Sequence, residues 1–134
     1  MQILEITTRR HRRFDIVALR GELDLAGAAD LRARLRAACK ANNDLLILDM
    51  TELEFTDSTG LAILVEYHSK TKTSGGGMVL TGVRPTVARV LGITGLDREL
   101  TITDRLDDAV AALERLDREP PEQPEEVEVR SPAP

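Results

Sequence analysis

Tryptophan is absent from this chain, and its aromatic residues are only Phe14, Phe55 and Tyr67, 2% of the total. That leaves little surface on which bases could stack, so a nucleic-acid binder is excluded on this ground first. One cysteine, Cys39, rules out an internal disulfide and a multi-cysteine zinc site. It falls on the apolar side of an expected helix, where a thiol packs and does not react. The two histidines, His11 and His68, stand in a basic turn and on a helix, with no neighbouring cysteine and no second histidine four residues on. No apolar run approaches the ~20 residues of a membrane helix. Met1 to Glu5 lacks the basic and apolar regions of a signal peptide, so the expected compartment is the cytoplasm.

Positive charge in excess is missing too. The net charge is −5, and residues 119–134 carry five glutamates against one arginine. Residues 1–118 are therefore near neutrality, with no surplus for a phosphate backbone. Five of the six prolines also fall in that last segment. Prolines among glutamates cannot repay ordering, so 119–134 is expected to be a disordered acidic tail behind one domain, 1–118.

What is present reads as alternating strands and helices. Ile3 to Thr8 and Phe14 to Arg20 alternate as strands around the basic turn Arg9–Arg13. A helix is expected from about Gly27 to Ala41, burying Leu31, Leu35, Ala38 and Cys39. Leu45 to Leu48 is apolar throughout and, in a run reaching Met50, suits a central strand. A second helix runs from Ser58 to Thr73, and Thr73 to Gly77 ends it. Because those glycines precede the strand Met78–Thr81 and no helix, they are a poor phosphate cradle. A short helix opens at Arg84–Pro85 and closes at Gly92. A last strand, Leu100–Thr103, leads to a helix that Asp104 is expected to cap. The fold class is α/β: one mixed β-sheet of about five strands with four helices, in the order β-β-α-β-α-β-α-β-α.

The stretch Phe55-Thr56-Asp57-Ser58-Thr59-Gly60-Leu61 concentrates the chemistry. It places four candidate capping side chains at one strand-to-helix junction, where a helix needs one. Asp24 and Asp57 both follow strands, on the edge where open α/β sheets carry functional loops. Taken singly, each is explained by a turn or a cap. Ser58 has a second use, because a helix N-terminus tolerates a phosphate and the modification would add roughly −1.5 to −2 charges. No nucleophile-base pair, metal cluster or paired acids accompany that serine, so catalysis and cofactors are not expected.

Gly21-Glu22-Leu23-Asp24-Leu25, Leu46-Ile47-Leu48-Asp49-Met50 and Phe55 to Leu61 together resemble the bacterial anti-sigma factor antagonists of the STAS group. The resemblance covers about Ile3 to Leu116. It implies a STAS-like domain and a partner-switching function in the regulation of transcription, often in stress responses. The partner it implies is an anti-sigma factor that is also a serine kinase, displaced from its sigma factor on binding. It further implies that Ser58 is the phosphorylated serine, that phosphorylation releases the kinase, and that a PP2C-type phosphatase restores the protein. Asp24, Asp57, Thr59, Gly60 and Leu61 match the partner-binding positions. The simplest expectation is a monomer exchanging partners, or at most a weak dimer, with no direct contact to nucleic acid or membrane. The alternative within the group is an accessory subunit of a lipid or anion transporter, or a signalling scaffold. One departure is Gly27, where many relatives cap the first helix with serine or threonine.

Overall fold

The computed structural model describes residues 2–118. The expected tail, 119–134, lies outside the described residues. Five strands form one sheet in the order β1-β2-β3-β4-β5, so each strand pairs with its neighbours in the chain. Strand β1 (Glu5–His11) and β2 (Phe14–Leu23) are an antiparallel hairpin. The turn is Arg12–Arg13 alone, with Arg12 left-handed at φ 59°. Arg9 to His11, expected in the turn, continue the strand. Strands β3 (Leu45–Thr56), β4 (Gly77–Thr81) and β5 (Thr101–Thr103) then add in parallel.

The parallel pairs require crossovers, which the helices supply. A 3-10 turn (Leu25–Gly27) leads into α1 (Ala28–Ala41), and α2 (Ser58–Thr73) follows β3. After β4 come α3 (Pro85–Thr94), the single turn α4 (Leu96–Glu99), β5, and finally α5 (Leu106–Arg118). Leu31 and Leu35 of α1, Ile63, Leu64 and Tyr67 of α2, and Val87 and Leu91 of α3 share one core. They pack on Val17, Leu19, Leu46, Leu48, Met50 and Leu80 of the sheet. On the opposite face Ala109, Val110 and Leu113 of α5 cover Phe14, Ile16, Leu45, Ile47 and Val79. The mixed five-stranded sheet matches the sequence expectation. The short α4 is additional: Gly95, left-handed at φ 79°, closes α3 after Thr94 instead of Gly92 and starts another turn. At the last helix the first backbone bonds run to the Arg105 carbonyl, so it begins one residue later than a cap at Asp104 implies.

Both strands that lead to the candidate site are longer than their apolar runs. Strand β2 extends to Leu23 and β3 to Thr56, with two shifts in their register. Gly21 pairs with Leu53 while the next residue, Glu22, pairs with Phe55, so Glu54 is the extra residue of a bulge. Gly21 itself has φ +98°, and a Cβ there would stand 2.5 Å from the Ile3 carbonyl oxygen. No other residue type fits that conformation and that space.

Candidate functional site

The bulged ends of β2 and β3 deliver two loops to the same place. The Asp57 amide donates to the Leu23 carbonyl at 3.1 Å, which ties the loop after β3 to the one after β2. Each loop then opens a helix under an aspartate cap. The Asp24 carboxylate accepts from the Ala26 amide at 3.1 Å, and the Asp57 carboxylate accepts from the Gly60 amide at 3.0 Å. Both aspartates are extended at their own backbone, the geometry of an N-cap. The cap expected at Asp57 is met by one oxygen, and Asp24, expected as a turn residue, caps the 3-10 turn in the same way.

Ser58 is the first residue of α2 and is exposed, whereas Thr59 is half-buried. The Ser58 hydroxyl makes no hydrogen bond among the described residues, and α2 offers it no acceptor in the turn behind. Thr56, the third hydroxyl of the stretch, is buried and donates to the Asp57 carbonyl at 3.2 Å. It serves the junction from below. The Thr59 hydroxyl also has no partner among the described residues, but it is half-buried, so Ser58 is the unpartnered group most open to water.

Gly60 sets how closely this turn approaches the sheet. It is buried, and a Cβ there would lie 2.1 Å from the Thr56 hydroxyl and 2.6 Å from Leu23 Cγ. Leu61 is half-buried against the main core, and Ile63 and Leu64 anchor the next turn below it. The first turn of α2 is thereby pressed onto Leu23 and Thr56 with its amides pointing outward. The Ser58 and Thr59 amides have no intrahelical partner, as at any helix start, and give the turn its positive end.

The structure brings Asp24, Asp57, Ser58, Thr59, Gly60 and Leu61 to one edge of the sheet. It adds two residues that the sequence reading leaves out. Leu25 is 73% exposed and Phe55 48% exposed, apolar side chains beside the two caps. Leu25 stands three residues before Ala28, so helical spacing assigns it to the core; the 3-10 turn takes it out of phase. Phe55 stands two residues after Leu53 and would share its buried face in a regular strand. The bulge at Glu54 separates them.

Gly27 has a steric reason of its own. A Cβ there would meet Leu4 Cδ2 at 2.8 Å, so a serine or threonine cap would displace Leu4. The cap has moved three residues back, to Asp24.

The remaining reactive side chains stay apart from this edge. Burial, then the neighbouring Asp44 charge, pushes the Cys39 thiol up to about 11. His68, in the middle of α2, is half-buried with an unpartnered Nδ1, and burial lowers its pKa, helped by Lys72. Among the described residues no cluster of three histidine, cysteine, aspartate or glutamate side chains could hold a metal. No described helix is long and apolar enough to cross a membrane.

The STAS domain family model matches residues 5–109, which spans all five strands and α1 to α4. This chain belongs to the STAS domain family. An anti-sigma F factor antagonist from Paenibacillus polymyxa is 31% identical over 112 residues, covering 83% of this chain and 96% of that protein. The crystal structure of an anti-sigma factor antagonist from Mycobacterium paratuberculosis superposes with a TM-score of 0.75 at 27% identity, covering 84% and 95% of the two chains. SpoIIAA, a Bacillus cell fate determinant solved in its phosphorylated form, shares the fold with a TM-score of 0.62 and 21% identity. It covers 81% of this STAS domain chain and 98% of its own.

Proposed function

We propose that the chain is an anti-sigma factor antagonist switched at Ser58. In this reading the edge formed by Asp24, Asp57, Thr59, Gly60 and Leu61, with Leu25 and Phe55 at its rim, docks an anti-sigma factor that is a serine kinase. Docking frees the sigma factor. Transfer of the ATP γ-phosphoryl group to the Ser58 hydroxyl ends the contact, and a PP2C-type phosphatase reverses it. The setting is the bacterial cytoplasm, with stress response the expected output.

One observation carries the reading. Ser58 carries the one exposed hydroxyl of the junction, without a hydrogen-bond partner among the described residues, on a turn placed by the Asp57 cap and the close approach of Gly60. A phosphate there meets unpaired amides at the helix start, so the fold can accept it without loss. It adds about two negative charges beside the Asp57 and Asp24 carboxylates, in the middle of an apolar rim. A partner surface that desolvates Leu25 and Phe55 would have to bury that charge, which costs several kcal/mol when unpaired. Binding is lost and the fold survives.

The test combines the protein with a kinase-type anti-sigma factor and ATP, and maps the phosphate by mass spectrometry. Ser58 should be modified stoichiometrically, and phosphate placed only on Thr59 or elsewhere would overturn the assignment. By calorimetry Ser58→Ala should keep the affinity of the unmodified protein, whereas Ser58→Asp should bind at least about tenfold more weakly. Equal affinity of the two variants would remove the switch.

A further inference from the structure

A second feature of the same sheet edge has no role in the Ser58 reading. Between α3, α4 and the end of β5 lies an open cleft of about 290 Å³, lined by Val83, Ala88, Leu91, Asp97, Ile102 and Asp104. Its floor is aliphatic. Leu91 is fully buried, and Val83 and Ile102 are half-buried against the main core. Its lip carries two exposed carboxylates, Asp97 and Asp104. Neither has an arginine or lysine within 4.0 Å among the described residues, although eight other ion pairs form across the surface. The surroundings strengthen the field, since residues 96–108 hold five carboxylates and two arginines.

We infer that this cleft is a docking site for an arginine side chain of a partner protein. An aliphatic floor with two acids at its mouth asks for a group with an apolar stem and a cationic head. Arginine supplies a three-carbon stem for Val83, Leu91 and Ile102, and a planar fork that pairs bidentately with a carboxylate at the mouth. A lysine ammonium is a compact, strongly hydrated charge that offers a carboxylate no such fork. A bulky aliphatic residue would fill the floor and leave both carboxylates without a partner. The site is continuous with the switch edge: Thr86, in the first turn of α3, donates to the Glu54 carbonyl at 3.1 Å, next to Phe55. It does not depend on the state of Ser58.

N-acetyl-arginine amide tests the chemistry directly, followed through the methyl resonances of the full-length chain. Val83, Leu91 and Ile102 should shift along one saturable curve. N-acetyl-citrulline amide, the same shape without charge, should bind roughly tenfold more weakly, as loss of a charge-assisted pair requires. The Asp97→Asn and Asp104→Asn double variant keeps both exposed side-chain shapes and should lose the arginine preference. Shifts of equal size with the citrulline compound, an undiminished preference in the double variant, or no movement of those three residues would each overturn the proposal. So would a concentration-dependent dimer that the double variant abolishes, since the occupant would then be a second copy of this chain.

Discussion

Gly60 shows how one residue can run against its own intrinsic preference. Alanine is the better helix former by about 1 kcal/mol, so an exposed Gly60→Ala change would stabilise α2. Here the added methyl meets the Thr56 hydroxyl and Leu23 inside van der Waals distance. Gly60→Ala is therefore expected to destabilise the fold by about 1–3 kcal/mol, read from urea unfolding, because neither the strand nor the helix can retreat. Asp57 allows its two roles to be separated. Asp57→Ala removes the bond to the Gly60 amide and should cost about 1 kcal/mol of stability. Asp57→Asn keeps an acceptor oxygen and should unfold close to the unmodified midpoint. A binding defect in Asp57→Asn would then report charge at the docking edge and not a frayed helix.

At the scale of elements, α2 is held at both ends and in the middle. Tyr67 donates to the Arg32 carbonyl of α1 at 3.3 Å, and Arg32 reaches Glu66 through Nε and Nη2 at 3.1 and 3.0 Å. Those contacts leave Arg32 half-buried between α1 and α2. His68 gives the helix a pH dependence. Its folded pKa lies below the 6.5 of an unfolded histidine, so below pH 6.5 the unfolded state takes up the proton first. Stability should fall as pH drops through 6.5 towards the folded value, and level off below it. The contribution disappears in His68→Gln, which thermal unfolding between pH 5 and 8 would show as a flatter profile.

These elements also mark what a sequence can disclose. Both ends of α2 were legible, Ser58 to Thr73, because a capping aspartate and a glycine cluster mark them independently. The ends of β2 and β3 were not, because two register shifts break the alternation from Ala18 onward. Phe55 was hidden by the bulge and Leu25 by the 3-10 turn, since each has the spacing of a core residue in a regular element. Leu116 is the reverse case: its helical spacing puts it in the core, yet it is 38% exposed at the end of α5. The candidate site was readable where one local signal sufficed, at Asp57 and Ser58. It was unreadable where a bulge or a 3-10 turn set the direction of a side chain.

For the whole molecule, the two cores draw on residues from Ile6 to Leu113. Arg12 pairs with Glu114 at 3.2 Å, and Arg13 pairs with Asp117, so the end of α5 is fixed to the β1–β2 turn. A chain ending at Arg118 is expected to keep its urea midpoint within about 0.5 kcal/mol of the full chain, as for changes away from any packed feature. A loss of more than that would mean residues 119–134 contribute to the fold.

The strand order carries a consequence for how the chain is made. From β2 onward each strand pairs with one already synthesised, so the sheet can widen one strand at a time as it leaves the ribosome, with no distant partner to wait for. The three crossover connections close the first face during that growth. Among the described residues the second face, with Phe14, Ile16, Ile47 and Val79, has only α5 to cover it, and α5 is the last described element. Until Ala109 to Leu113 emerge, the nascent protein presents a bare aliphatic sheet to the cell. Ribosome stalling or a stop codon just before α5 thus releases a product with all five strands and a sticky side, work for a chaperone or a protease.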